Sequence, residues 1–181
     1  NVVVGDEAGT AITTGDENTF IGYTAGDATT TATGNTALGF SALTTNVLGS
    51  RSVAIGRAAL QVQNPASAVN MYNVAVGHGA GESVTTGVQN TFIGGLSGDA
   101  NTTAANNTAV GYASLGANTT GTGNVALGAN ALDANTTASQ NTAVGIHSLG
   151  ANTTGHSNAA LGAYALNVNT TGNYNIGIGR N

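Results

Sequence analysis

The sequence predicts an all-β protein: a parallel β-roll, or β-solenoid, of about ten 17-residue coils. Three observations predict it. One phrase, clearest as N-T-A-V-G-Y-A-S-L-G-A-N-T-T-G-T-G over Asn107–Gly123, recurs from one end of the chain to the other. Each copy opens on a short alternating segment of the N-T-A-V-G type, which suits a strand with two different faces. The fourth position of every copy is a branched aliphatic residue, and the fifth is always glycine.

The copies begin at Asn1, Asn18, Asn35, Ser52, Asn73, Asn90, Asn107, Asn124, Asn141, Asn158 and Asn175. Each start lies 17 residues after the last, except for the 21-residue step from Ser52 to Asn73. A fixed period of this size is the mark of a repeat architecture, in which each coil contacts mainly its neighbours. Ten full copies and a seven-residue stub account for all 181 residues. The chain therefore reads as one array, 1–181, expected to be a fragment of a longer fibre. Its one irregular stretch is an insertion loop at 61–72 in the fourth coil. A tract rich in Gly, Asn, Thr and Ala could be disordered, but disorder does not hold an aliphatic residue in register through eleven copies.

Within the phrase, positions 3 and 9 vary together. Phe20 goes with Gly26 and Phe92 with Gly98, whereas Ala37 goes with Leu43 and Ala109 with Leu115. A large side chain at one position meets a small one at the other, as close-packed interiors require. Positions 3 and 9 thus share a thin interior holding Phe20, Leu43, Leu60, Phe92, Leu115, Leu132, Leu149 and Leu166. Ala75 with Gly81 breaks the rule, so that coil is expected to be under-filled. Position 8, always Ala or Ser in a full copy, suits a crowded second strand. Positions 12 to 15, mostly N-T-T-G or N-T-T-A from Asn101, Asn118, Asn135, Asn152 and Asn169, suit the return turn.

If position 3 points inward, position 4 points outward, because strand side chains alternate. The outward row is Val4, Ile21, Leu38, Ile55, Val76, Ile93, Val110, Leu127, Val144, Leu161 and Ile178. Stacked at about 4.8 Å per coil it makes a stripe roughly 48 Å long. An exposed apolar stripe of that length marks a protein contact. One large side chain and two alanines per coil also bury little surface against the cost of ordering 17 residues, which favours an oligomer.

N-T-A-V-G-Y-A-S-L, and variants such as S-V-A-I-G-R-A-A-L at Ser52–Leu60, resemble the head repeats of trimeric autotransporter adhesins, whose pattern is close to N-S-V-A-I-G-x-x-A/S. The 17-residue form with N-T-T-G is still more similar to repeats of bacteriophage tail fibres. The resemblance covers the whole chain. It implies a left-handed roll, three parallel chains in a homotrimer, and position 4 facing the trimer axis. It also implies a place outside the cell, on a virion tail or a bacterial surface, and a host or cell-surface receptor, either glycan or protein, as partner. The adhesin repeat is shorter, so the adhesins' collagen or matrix binding does not carry over.

Composition excludes several other classes. The chain has no Lys, three Arg and eight acids, so it lacks the basic footprint of a nucleic-acid binder or of a membrane-surface helix. No apolar run approaches the ~18 residues of a spanning helix, and with no Cys there is no thiol chemistry. No Ser/His/Asp set shares a repeat position, so no enzyme and no cofactor are expected. His78, His147 and His156 fall at positions 6, 7 and 16 and read as solvated turn residues rather than metal ligands. Asp6, Glu7, Asp16, Glu17 and Asp27 concentrate acid in the first two coils without a calcium-repeat pattern. The N-T-T runs match a glycosylation acceptor but read as turns. Tyr23, Tyr112, Tyr164 and Tyr174 read as singly scattered. In the irregular stretch, Asn64, Pro65, Met71 and Tyr72 form a candidate recognition loop. The alternative function is an ice-binding solenoid using threonine ladders, although the usual T-x-T spacing is missing.

Overall fold

A computed structural model describes residues 1–180. Positions 2 to 4 of every copy form a three-residue strand: Val2–Val4, Thr19–Ile21, Thr36–Leu38, Val53–Ile55, Val74–Val76, Thr91–Ile93, Thr108–Val110, Val125–Leu127, Thr142–Val144, Ala159–Leu161 and Ile176–Ile178. These eleven strands make one sheet in which each copy pairs, parallel and in register, with the copies before and after it. Val110, for example, lies opposite Ile93 on one side and Leu127 on the other. The protein is thus a parallel β-solenoid of about ten turns, and no helix occurs among the described residues.

The expected second strand at position 8 is absent, and positions 6 to 11 form a run of turns instead. The turns are nevertheless laddered. The amide at position 7 bonds the preceding coil (Thr24 to the Asp6 carbonyl), and the amide at position 9 bonds the following one (Gly9 to the Ala25 carbonyl). Alternating the direction of these amides requires left-handed backbone at positions 7 and 9, as at Ala113 (φ 51°) and Leu115 (φ 54°). An extended strand would send amides two residues apart to the same neighbouring coil. The turn run therefore satisfies the same coil-to-coil ladder by other means.

Glycine at position 5 has a specific cause. Gly128 sits at φ 134°, and a Cβ there would lie 2.7 Å from the carbonyl oxygen of Gly145 in the next coil. The same close approach recurs from Gly5 to Gly162. Only glycine allows both that φ and that contact.

Phe20, Leu43, Leu60, Phe92, Leu115, Leu132 and Leu149 are fully buried, together with the alanines at position 3, while Leu166, in the last full coil, is half-buried. A Cβ on Gly98 would lie 2.4 Å from the Phe92 ring, so in that coil the ring occupies the space Leu fills elsewhere. The expectation of an under-filled coil at Ala75/Gly81 is corrected. The ring of Phe92 and the side chain of Leu60 come from the adjoining coils to within 2.8 and 3.0 Å of a Cβ on Gly81. Val84 of the same coil is fully buried as well. The unit of packing is three coils, not one.

A double-mutant cycle tests the shared interior. Ala109→Phe alone overpacks and costs ~1–3 kcal/mol, and Leu115→Gly alone removes a buried Leu at about 3–5 kcal/mol. The double variant recreates the Phe92/Gly98 arrangement and is expected to be more stable than either single variant. Urea denaturation of the four proteins reads the coupling. Additive losses would show that the two positions do not share space.

Candidate functional site

The outer face of the sheet is the first candidate. Positions 2 and 4 point away from the interior, and all eleven position-4 side chains are exposed or half-buried, from the half-buried Val110 and Val144 to Leu161 at 52 % and Ile178 at 77 %. Position 2 adds a Val or Thr to the same face in nine copies, from Val2 to Thr142. The result is an unbroken strip of β-branched and Leu side chains on a flat parallel sheet. Across the Gly5-type bend, position 6 carries a different chemistry. Tyr23 and Phe40 stack at 5.3 Å, the Arg57 guanidinium lies 5.6 Å over the Phe40 ring, and Arg57 Nη1 is 3.1 Å from His78 Nε2. The Tyr23 hydroxyl is pushed above its usual pKa, first by its hydrogen bond to Glu7 and then by the charge of that carboxylate.

Three of the four tyrosines expected to be single, Tyr23, Tyr164 and Tyr174, are therefore paired. Tyr164 stacks on His147 at 5.2 Å, Tyr174 meets His156 edge-on at 5.0 Å, and Tyr72 accepts a 3.1 Å hydrogen bond from Arg51. Every partner is the residue one coil away in the same or an adjacent column. Comparing columns coil by coil would have found these pairs. His78 lies four coils from His147 and His156, which sit at positions 7 and 16 of one coil, and no group of three or more His, Cys, Asp or Glu able to hold a metal occurs among the described residues. In the acidic first coils, the Thr10 hydroxyl donates to the Asp27 carboxylate. Burial, ahead of any charge, raises the Asp99 carboxyl above the usual range.

The asparagines were given too small a role by the sequence. At position 1 every asparagine from Asn18 to Asn158 is buried. Asn124 accepts from the Asn141 amide at 3.0 Å through its side-chain oxygen, and donates through its side-chain nitrogen to the Ala138 carbonyl at 2.9 Å. This pattern repeats from coil to coil. The return-turn asparagines at position 12 form a second buried ladder, with Asn118, Asn135 and Asn152 donating to Asn101, Asn118 and Asn135 at 2.9 to 3.1 Å. The N-T-T asparagines Asn101, Asn118, Asn135 and Asn152 are thus fully buried, out of reach of a glycan-transferring enzyme. Asn124→Ala would orphan the Asn141 backbone amide in the interior. It is expected to cost about 1–3 kcal/mol, read as a lower denaturation midpoint. An unchanged midpoint would show that the ladder contributes nothing.

Threonines at position 13 donate to the position-13 carbonyl of the next coil, as in Thr102 to Thr119 at 3.0 Å. Position 14 alone forms an exposed threonine column, at Thr86, Thr103, Thr120, Thr137, Thr154 and Thr171.

The candidate recognition loop is partly corrected. Gln63, Pro65 and Met71 are buried. Gln63 bridges the point where Ser52, too short for the Asn role, interrupts the position-1 ladder; its oxygen accepts from Ser52 Oγ and Asn73 Nδ2 at 3.2 and 2.9 Å. Met71 lies against Gly49, and Val69–Asn70 pairs with Gly49–Ser50 as a short parallel strand. Pro65 and Met71 are anchors, and the exposed part of the loop is residues 66–70 with Asn64 and Tyr72.

No helix among the described residues is long and apolar enough to cross a membrane. No family model matches the chain, and neither a curated protein nor a solved structure matches it.

Proposed function

We propose that the chain is the rigid, non-enzymatic shaft of a trimeric receptor-binding fibre. In this reading three left-handed rolls lie parallel and bury their position-4 rows, Val4 to Ile178, against one another. A phage tail fibre is the first setting and a bacterial surface adhesin the second. Both are extracellular, and both present the fibre to a host or cell-surface glycan or protein. The observation that carries the reading is the unbroken outward aliphatic row, which the interior does not use. Positions 3, 8, 9 and 12 already fill the coil. An interior-facing role for position 4 is therefore closed, and a strip of this length on a monomer would be an aggregation hazard. Three identical chains display every surface feature three times, which raises avidity without any new contact.

The test is the mass in solution by light scattering on a size-exclusion column. The expected species is three times 17.5 kDa. A 17.5 kDa monomer would overturn the reading and bring the exposed threonine column, and ice binding, to the front.

A further inference from the structure

We infer that the notch around Gly150 is a saccharide subsite that takes one pyranose ring of a neutral glycan. The inference rests on the fibre reading for its biological setting. The notch has a volume of about 200 Å³ and is lined by Asp133, His147, Gly150, Ala151, Tyr164 and Asn167. Its origin is visible in the columns. Position 10 carries Asp133, Gly150 and Asn167 in three successive coils, so the void is the side chain missing from the middle one. One wall is the pair of stacked rings of His147 and Tyr164 in column 7, 5.2 Å apart with planes at 21°. Column 7 holds small residues in several other coils, such as Thr24, Ser41, Ala58 and Ala113.

The repeat supplies its own comparison. Gly116 is the other glycine of column 10, and its column-7 neighbours are Ala113 and Asn130. There the void has no aromatic wall. Only at Gly150 do a missing side chain and two adjacent rings coincide.

The lining chemistry selects the ligand class. A carboxylate accepts from two hydroxyls, an amide both donates and accepts, and rings cover the C–H patch of a sugar. The Asp133 carboxylate repels sulfate, phosphate and carboxylate groups, so a neutral sugar fits and an anionic one does not. The volume falls below the ~300–1,000 Å³ of sites for drug-sized ligands, which limits the subsite to one ring. The Gly145 bend separates the notch from Val144, so it stays open when the position-4 rows are covered. A trimer would carry it three times, compensating the weak affinity of one shallow site.

The experiment is saturation-transfer NMR on the full chain with methyl glycosides of glucose, galactose, mannose and N-acetylglucosamine. Light scattering on the same samples records the mass. At least one glycoside is expected to bind with millimolar affinity. Gly150→Thr places the residue found in column 10 at Thr10 and Thr44 into the notch. The added Cβ would lie 3.2 Å from the His147 backbone carbonyl oxygen and 3.3 Å from Asp133 Oδ1, so the Asp133 side chain must turn and the His147 carbonyl must give by a few tenths of an ångström. Gly150→Thr and Tyr164→Ala are each expected to weaken binding by about tenfold or more, while Gly116→Thr leaves it unchanged. If no glycoside binds to the natural chain, or if binding survives both notch variants, the inference is overturned. A trimer without sugar binding sinks the subsite and leaves the fibre intact. A monomer that binds sugar through the notch does the reverse.

Discussion

The double variant Val110→Asp/Val144→Asp is expected to run as a 17.5 kDa monomer, against the trimer proposed for the natural chain. Both side chains lie on the outer face, half-buried in the single chain, two coils apart in the same row. In one chain an aspartate at either position is hydrated and replaces no interior contact, so the coil ladder should survive. In a trimer the same substitution drives six carboxylates into an apolar seam around one axis. Each uncompensated buried charge costs several kcal/mol, and like charges facing one another add to it. The sum exceeds what a strip of short aliphatic side chains returns at ~25 cal/mol per Å². The measurement pairs light scattering with far-ultraviolet circular dichroism. A monomer with an unchanged β spectrum is the expected result. A trimer that persists would place the assembly face elsewhere, with the position-6 stack from Tyr23 to His78 the next candidate.

The period, the outward row and the shared interior were legible because each is a column of like side chains, and stacking makes columns visible in one sequence. The covariation of Phe20 with Gly26 carries volume information that needs no coordinates. Three features were not legible, for physical reasons. Position 12 holds Ile12, Thr29, Gln63 and Val84 as well as the asparagines. The amides suit the return turn because Asn is a turn former. An apolar residue and an amide sharing one column is instead the sign of a buried site, where the amide is kept by its ladder partners. Burial at position 8 fits an extended strand, but left-handed residues at positions 7 and 9 bury it within turns instead. The space at Gly81 is filled by Phe92 and Leu60, one coil to either side, which the pairing of positions 3 and 9 within one coil does not reveal.

Gly128→Ala tests the close backbone approach at position 5. The new methyl carbon would lie 2.7 Å from both the carbonyl carbon and the carbonyl oxygen of Gly145 and 3.0 Å from the Ile146 amide nitrogen. All three are backbone atoms of the next coil, so no side chain can rotate away. Moving the coils apart would stretch the Gly145 amide from its 2.7 Å hydrogen bond to Leu127, and with it the strand pairing on either side. The φ of 134° is itself essentially confined to glycine, at a cost of ~1–3 kcal/mol for another residue. Together these place the variant beyond the usual range of single substitutions, above about 4 kcal/mol. In a quasi-linear array the loss falls on one interface between coils, so the chain should open in the middle rather than fray from its ends. Hydrogen exchange is expected to show protection lost in Val125–Leu127 and Thr142–Val144 first. Gly116→Ala is the control. Its Cβ would lie no closer than 3.3 Å to any atom, and its expected cost is within ~0.5 kcal/mol. Equal stability of the two variants would mean that position 5 keeps its glycine for some reason other than contact between coils.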